Sequence, residues 1–459
     1  MRSLSTAQAL AWASWKVEFL SSVETGITAP AIQRAGIPIR SAAPDDLSAT
    51  DTVVFDHYDL DAASERSIAG DRPRRVAFDD MPSRRHDVDI LLDPTPGRVG
   101  QDYAAYVRND TLVLAGAPYA QLSRGWIDGR AIALENRRSK ATTRKRVLVS
   151  MGATDPNNAT QKILPALADL DVEIDVVLGQ SAPHLGAVRN ALGHRGRLHV
   201  DPPDFPALVA EADIAVGAAG SSCFERACLG LPSLVIVLAD NQRDLAKAFE
   251  KQGAVQVIEF AKLVQPSLLA QIVVSLLSDE RRLSMMSDCG SDLVDGRGTQ
   301  RFLTVLAGQH RVGSHIIALR LAEKSDSDWL LDLQSTPDVR RFSLNPEVPT
   351  ASEHALWFAG TLANPDRLLA IVRCDGKPSG MLRIDRSVGP TVSFQVSIAV
   401  SPEFQRKGIG LAALSALRQV VPSADLKATV LPDNLSSQKL FVRAGYGGDG
   451  DCKFVNHVS

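Results

Sequence analysis

Two glycine-bearing segments carry residue types that can grip phosphate. The first is GAAGSSCFERACLGLPSLVIVLADNQ, Gly217 to Gln242. An apolar run ends at Val216, small residues follow, and Ser221 and Ser222 stand where a helix would open. Small side chains let a diphosphate reach the backbone. The free N–H groups of a first helical turn, aided by the helix dipole, can hold it. Glu225, one turn on, could accept hydrogen bonds from ribose hydroxyls. A purely structural account fits as well: Ser222-x-x-Glu225 has the spacing of a capping box, and the glycines can serve turn geometry alone. The second segment is Gln405-Arg406-Lys407-Gly408-Ile409-Gly410, between a β-branched run ending at Val400 and an amphipathic stretch with Leu414, Leu417 and Val421 in helical spacing. Gly408 and Gly410 permit close backbone approach, and Arg406 and Lys407 add positive charge. A surface turn before a helix is the structural alternative.

Other candidates are sparser. His57, in Asp56-His57-Tyr58, titrates in the range of a general base, but it equally suits holding a strand-end loop, and that reading is preferred. The five cysteines (223, 228, 289, 374 and 452) form no CxxC pair, and the nine histidines form no HxxxH pair. Neither a disulfide framework nor a metal site is therefore expected, and a reducing cytoplasm fits best.

The elements that must position these groups read as α/β. Runs at 52–55, 75–78, 90–92, 147–150, 176–178, 214–216 and 234–238 are short and β-branched, and helical patterns separate them. Strands buried on both faces and alternating with helices imply parallel sheets, hence two Rossmann-like domains. After about residue 315 the strand candidates 316–321, 368–372, 380–384 and 392–400 crowd together, as in a mixed or antiparallel sheet, and a helix is expected over 410–421. Turn-rich stretches at 135–146 and 307–314 read as linkers, giving domains at 1–140, 141–308 and 315–459. A chain of 459 residues suits that number of units. The formal charge of −3 argues against a nucleic-acid partner. No apolar run is long enough to span a membrane, and Gln8, Ser14, Lys16 and Glu18 interrupt the start in a way a signal peptide does not. The oligomeric state is open.

Residues 1–306 resemble the nucleotide-sugar enzymes of GT-B architecture related to MurG. More narrowly, they resemble the PseG-type hydrolases that release UDP from a diacetamido sugar in pseudaminic acid synthesis, the route that feeds flagellin glycosylation. The stretches that carry this are VVFDHYDLD (53–61), HDVDILLDP (86–94), SMGATDPNNAT (150–160), VVLGQSAPHL (176–185), the 217–242 run and LVDGRG (293–298), in family order. The resemblance implies a UDP site at Gly220, Ser221, Ser222 and Glu225, with Asn241 and Gln242 near the substrate and Tyr58 lining the cleft as a catalytic candidate. Family members open with a strand and a GxGHxxR turn whose histidine is the expected base. Here Met1-Arg2 aligns with the last two positions of that turn. An upstream true start is the preferred expectation; a truncated domain that binds without its base is the alternative.

Residues 316–454 resemble the GNAT acetyltransferases. VSIAVSPEFQRKGIG (396–410) matches their pyrophosphate loop, and Asn434 through Ser437, Leu440, Phe441, Gly445 and Tyr446 matches their second motif. The resemblance implies acetyl-CoA as cosubstrate, held by Ile398, Val400, Gln405, Arg406, Lys407, Gly408, Gly410 and Asn434. Where many relatives have a tyrosine acid this chain has Phe441, read as core, and where many have a glutamate base it has Gln395, so Tyr446, Glu403 or water are the candidates. In the pseudaminic acid route a PseH-type GNAT enzyme makes the hydrolase's substrate. The fusion thus implies a bifunctional enzyme acting on a UDP-linked amino sugar and acetyl-CoA. The alternatives are an acetyltransferase joined to a domain that only binds UDP-sugar, and a non-catalytic sensor of both ligands.

Overall fold

The computed structural model describes residues 1–21, 30–40, 47, 49–139, 144–259, 265–389, 391–448 and 452–457. The chain divides into two compact units. One comprises Met1–Thr6 and Phe19–Gly298, the other Ala7–Glu18 and Thr299–Ser459.

The first unit holds a short parallel pair, β1 (Phe19–Leu20) with β2 (Ile39–Arg40), and two larger parallel sheets. In the four-stranded sheet β3 (Thr52–Phe55), β4 (Arg74–Phe78), β5 (Ile90–Asp93) and β6 (Leu112–Ala115) lie in sequence order. The six-stranded sheet contains β7 (Lys145–Ser150), β8 (Val172–Leu178), β9 (Gly196–Val200), β10 (Ile214–Ala218), β11 (Ser233–Val237) and β12 (Val255–Glu259), in the order β12-β11-β10-β7-β8-β9. Its strands read as unbroken apolar runs because both faces are covered. Val147, Val149, Ile214, Val216, Leu234 and Ile236 join one buried cluster, while Leu148, Ala215, Val235 and Val237 join another. Each such large aliphatic side chain contributes about 1.5–3 kcal/mol.

The helix Arg124–Ser139 shows why a strand pattern alone misplaces a helix. Trp126 and Ala133 lie in the cluster of Leu148, Ala215 and Val235, so its apolar face belongs to the six-stranded sheet although it precedes residue 140. Two of its arginines satisfy carbonyls at helix ends. Arg130 donates to Ser291 and Val294 (2.6 and 3.0 Å) and to Cys228; Arg137 donates to Val209, Ala212 and Leu229, each at 2.7 Å. Of the linker expected at 135–146, residues 135–139 are helical, 145 and 146 open β7, and 140–143 lie outside the described residues.

The second unit is built on an eight-stranded mixed sheet. Its strands are β13 (Gln309–Val312), β14 (His315–Leu321), β15 (Arg367–Cys374), β16 (Lys377–Val388), β17 (Val392–Val400), β18 (Asp425–Thr429), β19 (Gly447–Gly448) and β20 (Lys453–Asn456), ordered β13-β14-β15-β16-β17-β18-β20-β19. All neighbours are antiparallel except β17 and β18. The linker expected at 307–314 is a correction: Gln309–Val312 is a strand hydrogen-bonded to β14. Its residues, QHRV, lack the apolar alternation that would mark a strand. Residues 7–18 also belong to this unit. Trp12 stands edge-on to Phe394 at 5.3 Å, and the Trp15 indole donates to the Val420 carbonyl at 3.0 Å.

Candidate functional sites

In the six-stranded sheet the chain runs outward from β7 through β8 and β9 on one side, and from β10 through β11 and β12 on the other. The strand order reverses between β7 and β10, and the carboxyl ends at such a reversal are the position where open α/β sheets take ligands. The turn Ala219–Ser221 leaves β10 there, and the segment Leu238–Gln242 leaves β11 beside it. The capping box that the spacing allows is not formed. Ser221, not Ser222, is the N-cap of the seven-residue helix Ser222–Cys228, and no side chain caps it. Ser222 Oγ instead accepts from the buried Arg226 guanidinium at 2.9 Å. Arg226 also donates to Ser233 Oγ (3.2 Å) and the Ala218 carbonyl (3.1 Å), which ties the turn to both strands. A Cβ on Gly217 would stand 2.7 Å from that guanidinium, so only glycine admits it.

Two kinds of group are left over. The N–H groups of Gly220, Ser221 and Ser222 reach no acceptor among the described residues. Glu225 is half-buried, and no hydrogen bond among the described residues ends on its carboxyl. Burial pushes that carboxyl up to about 7, against the pull of the amino terminus and Arg226. Asn241 is exposed, whereas Gln242 Oε1 is engaged by the Leu238 N–H at 3.0 Å, leaving its amide N–H₂ available.

The carboxyl end of the four-stranded sheet carries a row of acids. Asp56 follows β3, Asp79 and Asp80 follow β4, and Asp93 ends β5. Arg2 bonds Asp56 (2.7 Å) and Asp80 (3.1 Å), and Ser3 also donates to Asp56. Burial raises Asp80, while Arg2 outweighs burial at Asp56 and lowers it. Tyr58, exposed by 46%, donates to Asp80 at 3.1 Å, and its hydroxyl is pushed up to about 12 by burial and that carboxylate. His57 behaves as a loop holder: its Nδ1 accepts the Asp59 N–H at 3.1 Å. Sequence reasoning passed over His86. It is buried between Glu65 (2.6 Å) and Asp79 (3.3 Å), and these acids lift it to about 9 against the desolvation of burial. Its signal was faint, because the partners stand 21 and 7 positions away.

In the second unit β17 stays paired with β16 out to Val400, but its pairing with β18 stops at Val396 and Ala428. The two parallel strands part there, leaving the β18-facing backbone at Ile398 open for main-chain hydrogen bonds. The sequence named Ile398 and Val400 but could not show this splay. The next residues form an exposed loop. Arg406 and Gly408 have left-handed backbones (φ +61° and +77°), and the N–H groups from Arg406 to Leu411 reach no acceptor among the described residues. Alternating handedness turns successive N–H groups inward, a nest for an anion, and the twelve-residue helix Ile409–Val420 adds its dipole. A Cβ on Gly408 would also meet Val312 at 2.8 Å, and one on Gly410 would meet Leu440 at 3.1 Å. Gln405 donates to the Val400 carbonyl at 3.1 Å, tying loop to strand, and Lys407 lies over the Phe404 ring.

Asn434 is the N-cap of helix Leu435–Arg443: its Oδ1 accepts the Ser437 N–H at 3.0 Å, which commits that oxygen to the fold. Tyr446 is 4% exposed, stacked edge-on against Phe441 at 5.0 Å, and its hydroxyl has no partner among the described residues. Burial raises its pKa, so it is poorly set to deliver a proton. Phe441 is core, 4% exposed. Glu403 is exposed and Gln395 donates only weakly to Thr429.

Residues 139–296 match the glycosyltransferase family 28 C-terminal domain, and residues 317–447 match the acetyltransferase (GNAT) domain. Over these stretches the chain is thus similar to a glycosyltransferase family 28 C-terminal domain followed by a GNAT acetyltransferase domain, in an α/β fold with a mixed sheet in its C-terminal part. Among similar proteins is the spore coat polysaccharide biosynthesis protein SpsG of Bacillus subtilis, 30% identical over 44% of this chain. The chain spans 60% of that relative's length. An uncharacterised protein of Methanocaldococcus jannaschii is 21% identical over 86% of this chain and 81% of its own length. Among solved structures, Acinetobacter baumannii MurG aligns with a TM-score of 0.46 at 18% identity, covering 66% of this chain and 93% of its own. No helix among the described residues is long and apolar enough to cross a membrane.

Proposed function

We propose that the chain is a bifunctional cytoplasmic enzyme of pseudaminic acid synthesis. In this reading the acetyltransferase N-acetylates a UDP-linked amino-dideoxy sugar, and the first unit releases UDP from the resulting diacetamido sugar by hydrolysis. The observation that carries the nucleotide half is Glu225, without a hydrogen-bond partner among the described residues, beside three N–H groups that reach no acceptor among them, at the strand-order reversal. A diphosphate and a ribose supply the missing acceptors and donors. In the acetyl transfer the sugar amine attacks the thioester carbonyl, the C–S bond breaks, and coenzyme A leaves as the thiolate and takes up a proton. The open backbone of β17 offers an N–H to the carbonyl oxygen as charge develops. In the hydrolysis, water attacks the anomeric carbon and the bond to the UDP oxygen breaks. Asp80, raised by burial and held by Tyr58, is the carboxylate on offer to take the water's proton.

A second reading has its own observation. His57 Nδ1 is engaged by its own loop and His86 is sealed between two acids, so neither imidazole is arranged as a base. The first unit would then hold UDP-sugar for the acetyltransferase without cleaving it. Incubation with acetyl-CoA and the UDP-linked amino sugar separates the readings. Release of both coenzyme A and UDP supports the bifunctional enzyme. Acetylated UDP-sugar without UDP leaves only the transferase, and binding of both ligands without either product leaves a sensor.

A further inference from the structure

Three side chains converge at one end of the eight-stranded sheet. His315 opens β14, Cys374 closes β15, and Asp375 sits in the hairpin that follows. Asp375 and Gly376 both have positive φ (+50° and +79°), the shape of a tight two-residue hairpin turn. The Asp375 N–H donates to the Ile316 carbonyl at 2.9 Å, and one carboxylate oxygen accepts the Ile316 N–H at 2.8 Å. The other oxygen is 2.6 Å from His315 Nδ1 and 3.8 Å from Cys374 Sγ. Among the described residues this is a group of three potential ligands, one atom from each, all within 4.8 Å of one another.

We propose that His315, Cys374 and Asp375 form a site for a divalent cation of the zinc type. The donors are one imidazole, one thiol and one carboxylate, a borderline-soft set that favours zinc over magnesium or calcium. Zinc bonds of about 2.0–2.3 Å in a tetrahedron place donors roughly 3.3–3.7 Å apart. The His–Asp spacing must open, and the cysteine must approach, by about an ångström or less, which side-chain torsions supply. The backbone is already fixed: His315 and Cys374 lie on paired strands, and the Ile316 N–H orients the carboxylate as a metal site's outer partner does. Three protein ligands leave a fourth position for water. The thiol is the buried end of the set, and the half-open imidazole and carboxylate give the ion an entry path. The set is spread over 59 and 60 positions of chain, so no local spacing announces it. The site neighbours the anion nest: Val312 of the adjoining hairpin lies against Gly408, and the Lys407 charge already acts on the Cys374 thiol. A bound cation would pin three strand ends beside the pyrophosphate loop.

The test uses tag-free full-length protein stripped with a chelator. Zinc sulfate is titrated against a chromophoric competitor, and thiols are then alkylated and mapped by mass spectrometry. The expected result is one zinc per chain, with zinc but not magnesium shielding Cys374 while the half-buried Cys289 and Cys452 keep their reactivity. His315→Ala and Cys374→Ser should each weaken zinc by about tenfold or more. Equal zinc uptake by both variants, or alkylation of Cys374 indifferent to zinc, overturns the proposal. Should Cys374→Ser fold poorly, the shielding measured on the unmutated chain and the His315→Ala titration decide alone. Neither readout depends on the nucleotide-sugar reaction.

Discussion

The helix openings at Ser222 and Ile409 present the same donors in two different settings. At Ile409 the backbone does almost everything: left-handed residues alternate, the loop is exposed, and a long helix stands behind it. At Ser222 the helix has seven residues and its dipole is correspondingly small. What makes that turn is a buried guanidinium beneath it and an unmatched carboxyl beside it. A backbone nest tolerates many side chains but no change of glycine. A side-chain-built turn should be broken by single polar substitutions.

The largest effect should follow from Gly408→Val, which meets both the positive φ and the Val312 side chain. Steady-state assays should show kcat/KM for acetyl-CoA lowered by about 100-fold or more, while UDP binding to the other unit is unchanged. Loss of UDP affinity as well would break the contrast. Next, Glu225→Gln removes the charge and one of the two acceptor oxygens proposed to meet the ribose, without removing any hydrogen bond seen among the described residues. Calorimetry should show UDP binding weakened roughly 10- to 100-fold. The ligand hydroxyls favour the charged carboxylate, and the free group titrates near 7. Affinity of the unmutated chain should therefore rise as pH increases through about 7 and level off above it, whereas the variant should be flat. Ser222→Ala is smaller. It strips one acceptor from Arg226, so denaturant unfolding should register about 1–2 kcal/mol and UDP binding a several-fold loss. Smallest is Tyr446→Phe. Deleting an unpaired buried hydroxyl should leave acetyl transfer within about twofold and stability unchanged or up to 1 kcal/mol higher. A large drop in rate would return Tyr446 to the chemistry.

The parallel strands were legible because burial on both faces writes them as solid apolar runs, as in β10 and β11. So was Gly408 before helix Ile409–Val420, whose positive φ needs glycine. Three things were hidden by long-range or competitive contacts. The Ser222–Glu225 spacing promised a capping box, yet Arg226, inside the same segment, captures the serine. Asn434 matched a ligand motif while its side chain was needed as a helix cap. The strand at 309–312 is too polar to show a pattern until β14 pairs with it. The His86 pair of acids and the Trp12–Phe394 contact join residues that no window of sequence brings together.

That last contact bears on modularity. The acetyltransferase core is not contiguous in the gene's order: an indole from near the amino terminus seals Phe394, and a second one donates to the end of helix Ile409–Val420. A fragment excised at residue 299 would carry every residue of the pyrophosphate loop and still expose an aromatic face that the full chain keeps dry. Supplying a peptide of residues 7–18 in trans should restore solubility to such a fragment.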